Sequence, residues 1–144
     1  MRRENLSLFL LRLFLGAWFL WAGIPKLKYS YAHEEIGGML NYFAVNGSVS
    51  FYQSILYWMA NHAVLFGYLT SWGEVITGVA LILGLFTPLA CLAVIAMCFN
   101  YFLATFKLGP ASMGLNLLCI VTAIALMVGG AGRYLGIDAF RTKR

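Results

Sequence analysis

Charge is scarce in this chain, and the scarcity sets its class. Only 10% of the 144 residues are charged, against 62% hydrophobic, whereas soluble domains carry about 25% charge. A water-soluble globular fold is therefore excluded. The formal net charge of +5 would suggest nucleic acid in a soluble protein. Here all the basic residues but Arg12 sit at the chain ends and in connections, where they set topology, and no basic–aromatic nucleic-acid surface is present. Cysteine is sparse too. Cys91 and Cys98 stand seven apart, about 10 Å along a helix and beyond disulfide reach. Cys119 is alone in the last apolar run, and no C-x-x-C motif occurs, which argues against a thiol relay. All three read as apolar filler. The only histidines, His33 and His62, lie outside the apolar runs, so haem held by two histidines inside a bilayer is excluded. The His33-Glu34-Glu35 spacing matches no usual ligand set, and no metal is expected. Phosphate loops and nucleophile elbows are missing. With no covalent cofactor or redox centre of its own in view, the chain can serve electron transfer only by holding a quinone or contacting a cofactor-bearing partner.

What the chain has is apolar length. Mean hydropathy is +0.82, and four runs, at about 6–24, 65–86, 89–106 and 113–130, each approach the ~20 residues that cross a bilayer. Arg2 and Arg3 followed by an apolar run resemble a secretory signal. The run contains Arg12, has no A-x-A site and is nearly twice the usual core length, so it reads as a retained first helix. Pro25 ends the first span, Thr87-Pro88 turns into the third, Lys107-Leu108-Gly109-Pro110 ends it, and Gly129-Gly130-Ala131-Gly132 ends the fourth. The expectation is an all-α integral membrane protein: residues 1–144 form one domain, an antiparallel four-helix bundle. With both termini in the cytoplasm, Arg2, Arg3, Arg133, Arg141, Lys143 and Arg144 lie inside and Lys26, Lys28 and Lys107 outside. This is the orientation that basic-residue bias favours. The default location is the cell's inner, cytoplasmic membrane. In the long 27–64 connection, Ile36, Met39, Leu40 and Phe43 repeat at helical spacing and predict a short interfacial helix. Phe51, Ile55 and Trp58 predict a second, with a turn at Asn46-Gly47-Ser48.

Inside the apolar runs, ionisable groups stand out, since each costs roughly 2.5–3.5 kcal/mol to insert. Arg12, Gly16, Phe19, Gly23 and Lys26 share a face of the first helix. Gly67, Ser71, Glu74 and Gly78 share one on the second. Ala93, Ala96, Asn100 and Ala104 align on the third, and Asn116, Ala123 and Gly130 on the fourth. Small residues let membrane helices approach closely, so these stripes are expected to face inward. Counting 1.5 Å per residue puts Glu74 near mid-membrane. Glu74, Asn100, Asn116 and Lys26 could then line one cavity. Arg12 could pair with Glu74, the favoured partner, or with Asp138, which could also pair with Arg133. Arg12 and Glu74 are either parts of a ligand pocket or an ion pair that fixes register.

The polar landmarks also carry a family resemblance. Leu11-Arg12-Leu13-Phe14-Leu15-Gly16 with Trp21-Ala22-Gly23-Ile24-Pro25-Lys26-Leu27, then Trp72-Gly73-Glu74-Val75-Ile76-Thr77-Gly78 with Leu83-Gly84-Leu85-Phe86-Thr87, resemble the first two helices of the DoxX/DoxD membrane-protein family. Asn116-Leu117-Leu118 resembles the start of its fourth helix. Gly130-Ala131-Gly132-Arg133-Tyr134-Leu135-Gly136-Ile137-Asp138 resembles its closing motif, in a form nearer the DoxD branch. The resemblance implies a four-helix membrane subunit. DoxD-like proteins are the small membrane subunit of thiosulfate:quinone oxidoreductase, and DoxX-like relatives are linked to thiol and oxidative-stress complexes.

The expected function is a subunit of a membrane oxidoreductase or respiratory-type complex, embedded in the lipid bilayer beside other membrane subunits. It would contribute a quinone-facing pocket built from Arg12, Lys26, Glu74, Asn100 and Asn116, or serve as an anchor. Glu74 would carry a quinol proton, Arg12 would hold Glu74, and an asparagine would bond the ring. The alternative is a non-catalytic accessory subunit that packs against and stabilises a larger complex.

Overall fold

A computed structural model describes residues 3–141, with side-chain surroundings for residues 6–140. Arg2, Lys143, Arg144 and the side chains of Arg3 and Arg141, all counted above for orientation, lie outside the described residues. Every regular element described is helical. In chain order these are α1 (Arg3–Gly23), α2 (Ile36–Tyr42), α3 (Gln53–Asn61), α4 (Ala63–Leu83), α5 (Thr87–Ala104), α6 (Pro110–Val128) and α7 (Asp138–Arg141). The four long helices are each long and apolar enough to span a membrane, α1 being continued by a 3-10 turn to Leu27. Their outward faces carry a belt that includes Phe14, Trp21, Leu69, Ile76, Leu89, Leu118, Val121 and Val128, all exposed. Soluble monomers rarely expose so continuous an apolar surface; acyl chains are its natural solvent. The chain is a multi-pass helical membrane protein.

Local chemistry sets the span ends, and it shifts several of them from the sequence expectation. α4 stops at Leu83 rather than 86 because Gly84 adopts φ +63°. Leu85 N then donates to Ala80 O and Gly84 N to Leu81 O, which is a Schellman closure satisfying the last carbonyls. α5 and α6 begin early, with Pro88 and Pro110 in their first turns, where a missing N–H costs nothing.

α1 packs along α4 and α5 along α6. A short turn joins α4 to α5, and α1 meets α6 only sparsely. Glycine sets the α1–α4 separation: a Cβ on Gly16 would lie 2.8 Å from Ile82 Cγ1, and one on Gly23 would lie 2.9 Å from Glu74 Cβ. Small residues thus fix both spacing and register. At the end away from the termini, α2 and α3 fold over the bundle. They bury Ile36, Leu40, Leu56 and Met59 with Tyr31, Tyr52 and Ala104. Of the residues that predicted the second short helix, Ile55 and Trp58 lie on its exposed face, and Phe51, also exposed, sits in the 3-10 turn before it.

Candidate functional site

Arg12 and Glu74 do not meet. The α1–α4 register places Glu74 against Gly23 and Arg12 against Gly84. Eleven residues of α1 separate those levels, about 16 Å, more than an arginine side chain spans. The expected pair is replaced by two separate charge sites.

The first lies at the termini end. Arg12 is fully buried. Its Nη1 donates to Ala131 O at 2.8 Å and Tyr134 O at 3.2 Å, and its Nη2 donates to Leu135 O at 2.9 Å. Phe9 stacks under the guanidinium, 5.4 Å from centroid to Cζ. Asp138, whose charge also acts on Arg12, accepts from Phe86 N at 2.9 Å and Thr87 N at 2.8 Å. It thereby caps the start of α5 with a negative charge. Two non-glycine residues here, Phe86 and Leu135, have φ +48°. Such geometry costs of order 1–3 kcal/mol and persists only when its surroundings enforce it. Arg12 grips the carbonyl of one and Asp138 the N–H of the other. Arg133 is exposed and makes no ion pair among the described residues, so the expected Arg133–Asp138 pair is replaced by this backbone clamp. The closing glycine–arginine–aspartate stretch is a lock on the fold.

The second site lies in mid-bundle. Glu74 is buried, and Lys26 Nζ donates to both its oxygens, at 2.7 and 2.8 Å. Tyr101 OH donates to Oε1 at 2.7 Å. Lys26 follows the break at Pro25. Its carbonyl lies 2.8 Å from Ser71 Oγ, which fastens the 3-10 turn to α4. Lys26 Nζ also sits 5.9 Å from the Tyr31 ring and 5.7 Å from the Tyr101 ring. Tyr31, in the π-helical turn Tyr31–Glu35 beyond the span, has its phenol pKa pushed well up by burial, with the charges of Glu74 and Glu35 adding to the effect. Burial likewise raises the Tyr52 phenol, partly offset by its hydrogen bond with Asn100.

Beside the Lys26–Glu74 pair is a partly enclosed cavity of about 140 Å³, lined by Trp18, Phe19, Lys26, Glu74, Cys98, Tyr101, Asn116 and Cys119 among others. Of the five pocket candidates from the sequence, it gathers Lys26, Glu74 and Asn116. Asn100 instead lines a second cavity of about 160 Å³ with Tyr31, Phe66 and Tyr101, and Arg12 lines neither. The reason is the face of α5. Its buried residues include Ala90, Cys91, Val94, Cys98 and Ala104; of the expected stripe Ala104 is buried, Ala93 and Asn100 are half-buried and Ala96 is exposed. Helix α5 is apolar all round, so alanine alone did not mark its inward face. Tyr101, which the sequence reading missed, follows Cys98 by three residues on the true face. A phenol in an apolar run, one turn from a thiol, was the available signal.

The cavity wall offers chemistry at two points. The Lys26 ammonium has three N–H donors and points two bonds at Glu74. Asn116 Nδ2 donates to Ser112 O at 2.9 Å, which leaves its second N–H and its carbonyl oxygen without a partner among the described residues. The arrangement can bind a small ring bearing two acceptors, with a carboxylate alongside to carry a proton.

In comparisons with known proteins, residues 7–144 match the family model described as TQO small subunit DoxD. No curated protein and no solved structure matches the chain. Covering all but the first six residues, the match shows that this chain belongs to the DoxD family.

Proposed function

We propose that this protein is the membrane subunit of a quinone oxidoreductase and that it holds the quinone ring in the cavity between α1 and α6. Membership of the DoxD family supports the coarser statement. One observation carries the finer one: Lys26 and Tyr101, hydrogen-bonded to the buried Glu74 carboxylate, form with it the wall of a ring-sized cavity. An ion pair serving only register would be packed over. The residues suit a quinone. A cavity of about 150 Å³ accepts benzene in another protein, and Lys26 and Asn116 each have an N–H to offer a carbonyl. α1 and α6 touch only sparsely, and the lining reaches half-buried Trp18 and exposed Leu115, so an isoprenoid tail can lie in lipid. When bound, the quinone supplies two-electron, two-proton redox chemistry. The chain's own part is to orient the ring through Lys26 and Asn116, to hold Lys26 through Glu74 and Ser71, and to pass protons at the Glu74 carboxylate. The proposed setting is the cytoplasmic membrane, with both termini in the cytoplasm and a cofactor-bearing partner subunit alongside.

The test is direct binding. A short-tailed benzoquinone titrated into detergent-solubilised protein should quench the fluorescence of Trp18, the signal being identified by its loss in Trp18→Phe. Glu74→Gln and Asn116→Leu should each weaken binding about tenfold, equivalent to about 1.4 kcal/mol. Equal affinity in both variants and in the native chain would remove the quinone from this cavity. It would leave the accessory reading, in which the subunit packs against and stabilises a larger complex.

A further inference from the structure

Cys98 and Cys119 face each other across α5 and α6. At one end of this antiparallel pair, Ser112 Oγ donates to Thr105 Oγ1 at 2.7 Å. Seven residues further along each helix, two turns on, stand Cys98 and Cys119. In the same register Val94 then meets Ala123 and Cys91 meets Leu126, and all six belong to one buried cluster. The two thiols are close enough to act on each other electrostatically and are unbridged. Helix axes about 8–10 Å apart, with Cα atoms about 2.3 Å from each axis, bring facing Cα atoms to roughly 3.4–5.4 Å. The upper part of that range overlaps the span a disulfide tolerates. Both thiols line the cavity of Lys26 and Glu74, and Cys91 does not. Two thiols filling space would have no need to share a wall with a buried carboxylate.

We propose that Cys98 and Cys119 form a dithiol–disulfide couple that passes two electrons to a quinone in the adjoining cavity. The inference rests on the cavity being the quinone site. Two S–H bonds break and one S–S bond forms. The two electrons and two protons end on the quinone, which becomes quinol. Glu74 lines the same cavity as both thiols, and its carboxylate can take the departing protons one at a time and hand them to the ring, held in place by the hydrogen bond from Tyr101. The couple would give the chain a redox centre of its own.

The experiment uses the whole protein, reduced, freed of reductant and kept under argon. A short-tailed benzoquinone is added, and the protein is then denatured and alkylated. The expected result is alkylation of Cys91 alone, an intact mass lower by the two thiol hydrogens, and one quinol formed per chain. Cys91→Ser should change none of this, while Cys98→Ser and Cys119→Ser should each form no quinol. The labelling pattern of the native chain decides the matter even where a variant fails to fold. If quinone quenches Trp18 but all three thiols still alkylate, the couple is overturned and the binding site stands. If quinone does not quench Trp18 and the thiols stay free, the site itself is overturned and the couple with it.

Discussion

Arg12 and Glu74 are both buried charges in apolar helices, yet the molecule treats them oppositely. Arg12 is closed in. Its terminal nitrogens are consumed by three backbone carbonyls of the 131–135 stretch, and glycines at 84 and 136 crowd against it. Glu74 is held just as firmly, by Lys26 and Tyr101, but one side of its cluster is left as a cavity. The same insertion penalty is thus incurred for two ends. At the termini end it secures a strained loop; in mid-bundle it keeps polar groups beside empty space. Partner type distinguishes the two. A charge whose hydrogen bonds all go to backbone cannot give them up without unfolding that backbone, whereas a charge bonded to side chains can exchange one partner for a ligand.

The strongest way to break this comparison is to replace each charge with a neutral residue of similar size. Arg12→Leu strips the donors from three carbonyls and leaves the strained Leu135 unheld. The expected loss is about 3–5 kcal/mol, the usual result of removing one member of a buried charged network, and much of a typical total stability. Thermal unfolding in detergent should show it as a large fall in Tm or as aggregation. Glu74→Gln keeps the shape, and Lys26, with a quarter of its side chain exposed at 26%, can recover water. Stability should change by less than about 1 kcal/mol while quinone binding drops. If the two variants proved equally unstable, the division into lock and site would fail.

Much of this was legible in the sequence, and the failures have physical causes. α1 and α4 could be read because Arg12, Gly16, Gly23 and Gly67, Ser71, Glu74, Gly78 combine polarity with small size, and the structure buries every one of them. α5 could not, since it is apolar on every side and alanine is as content against lipid as inside. The Arg12–Glu74 pairing failed because depth was counted from estimated span ends. Register is set instead by glycine contacts between helices, which move Glu74 towards Lys26. The Cys98–Cys119 contact was invisible because it depends on the α5–α6 register, which one serine–threonine hydrogen bond fixes across a loop.

The lock itself can be sharpened at its second charge. Asp138→Ala leaves the Phe86 and Thr87 N–H groups without their carboxylate. Losing a cap of this kind costs about 0.5–2 kcal/mol, less than the arginine because two donors rather than a buried charge are orphaned. Asp138→Asn should recover part of the loss, since one amide oxygen can still accept. Equal Tm values for Asp138→Ala and the native protein would show that α5 needs no cap from the closing loop.

The smallest expected effect probes the rim of the mid-bundle site through pH. Tyr31 lies against Lys26 and near Glu74 and Glu35. Burial first, then those two carboxylates, raises its phenol pKa above the ordinary value of about 10. A raised pKa means that the folded state prefers the neutral phenol. Its contribution to stability is therefore complete below about pH 10 and declines as pH rises from there towards the folded-state pKa. Tyr31→Phe cannot ionise, so it should lose less stability than the native protein between about pH 9 and pH 11. Comparing the two chains at each pH cancels the titration of every other group. Parallel declines would mean that the phenol reaches water when the protein is folded and that the rim above Lys26 and Glu74 is not sealed by Tyr31.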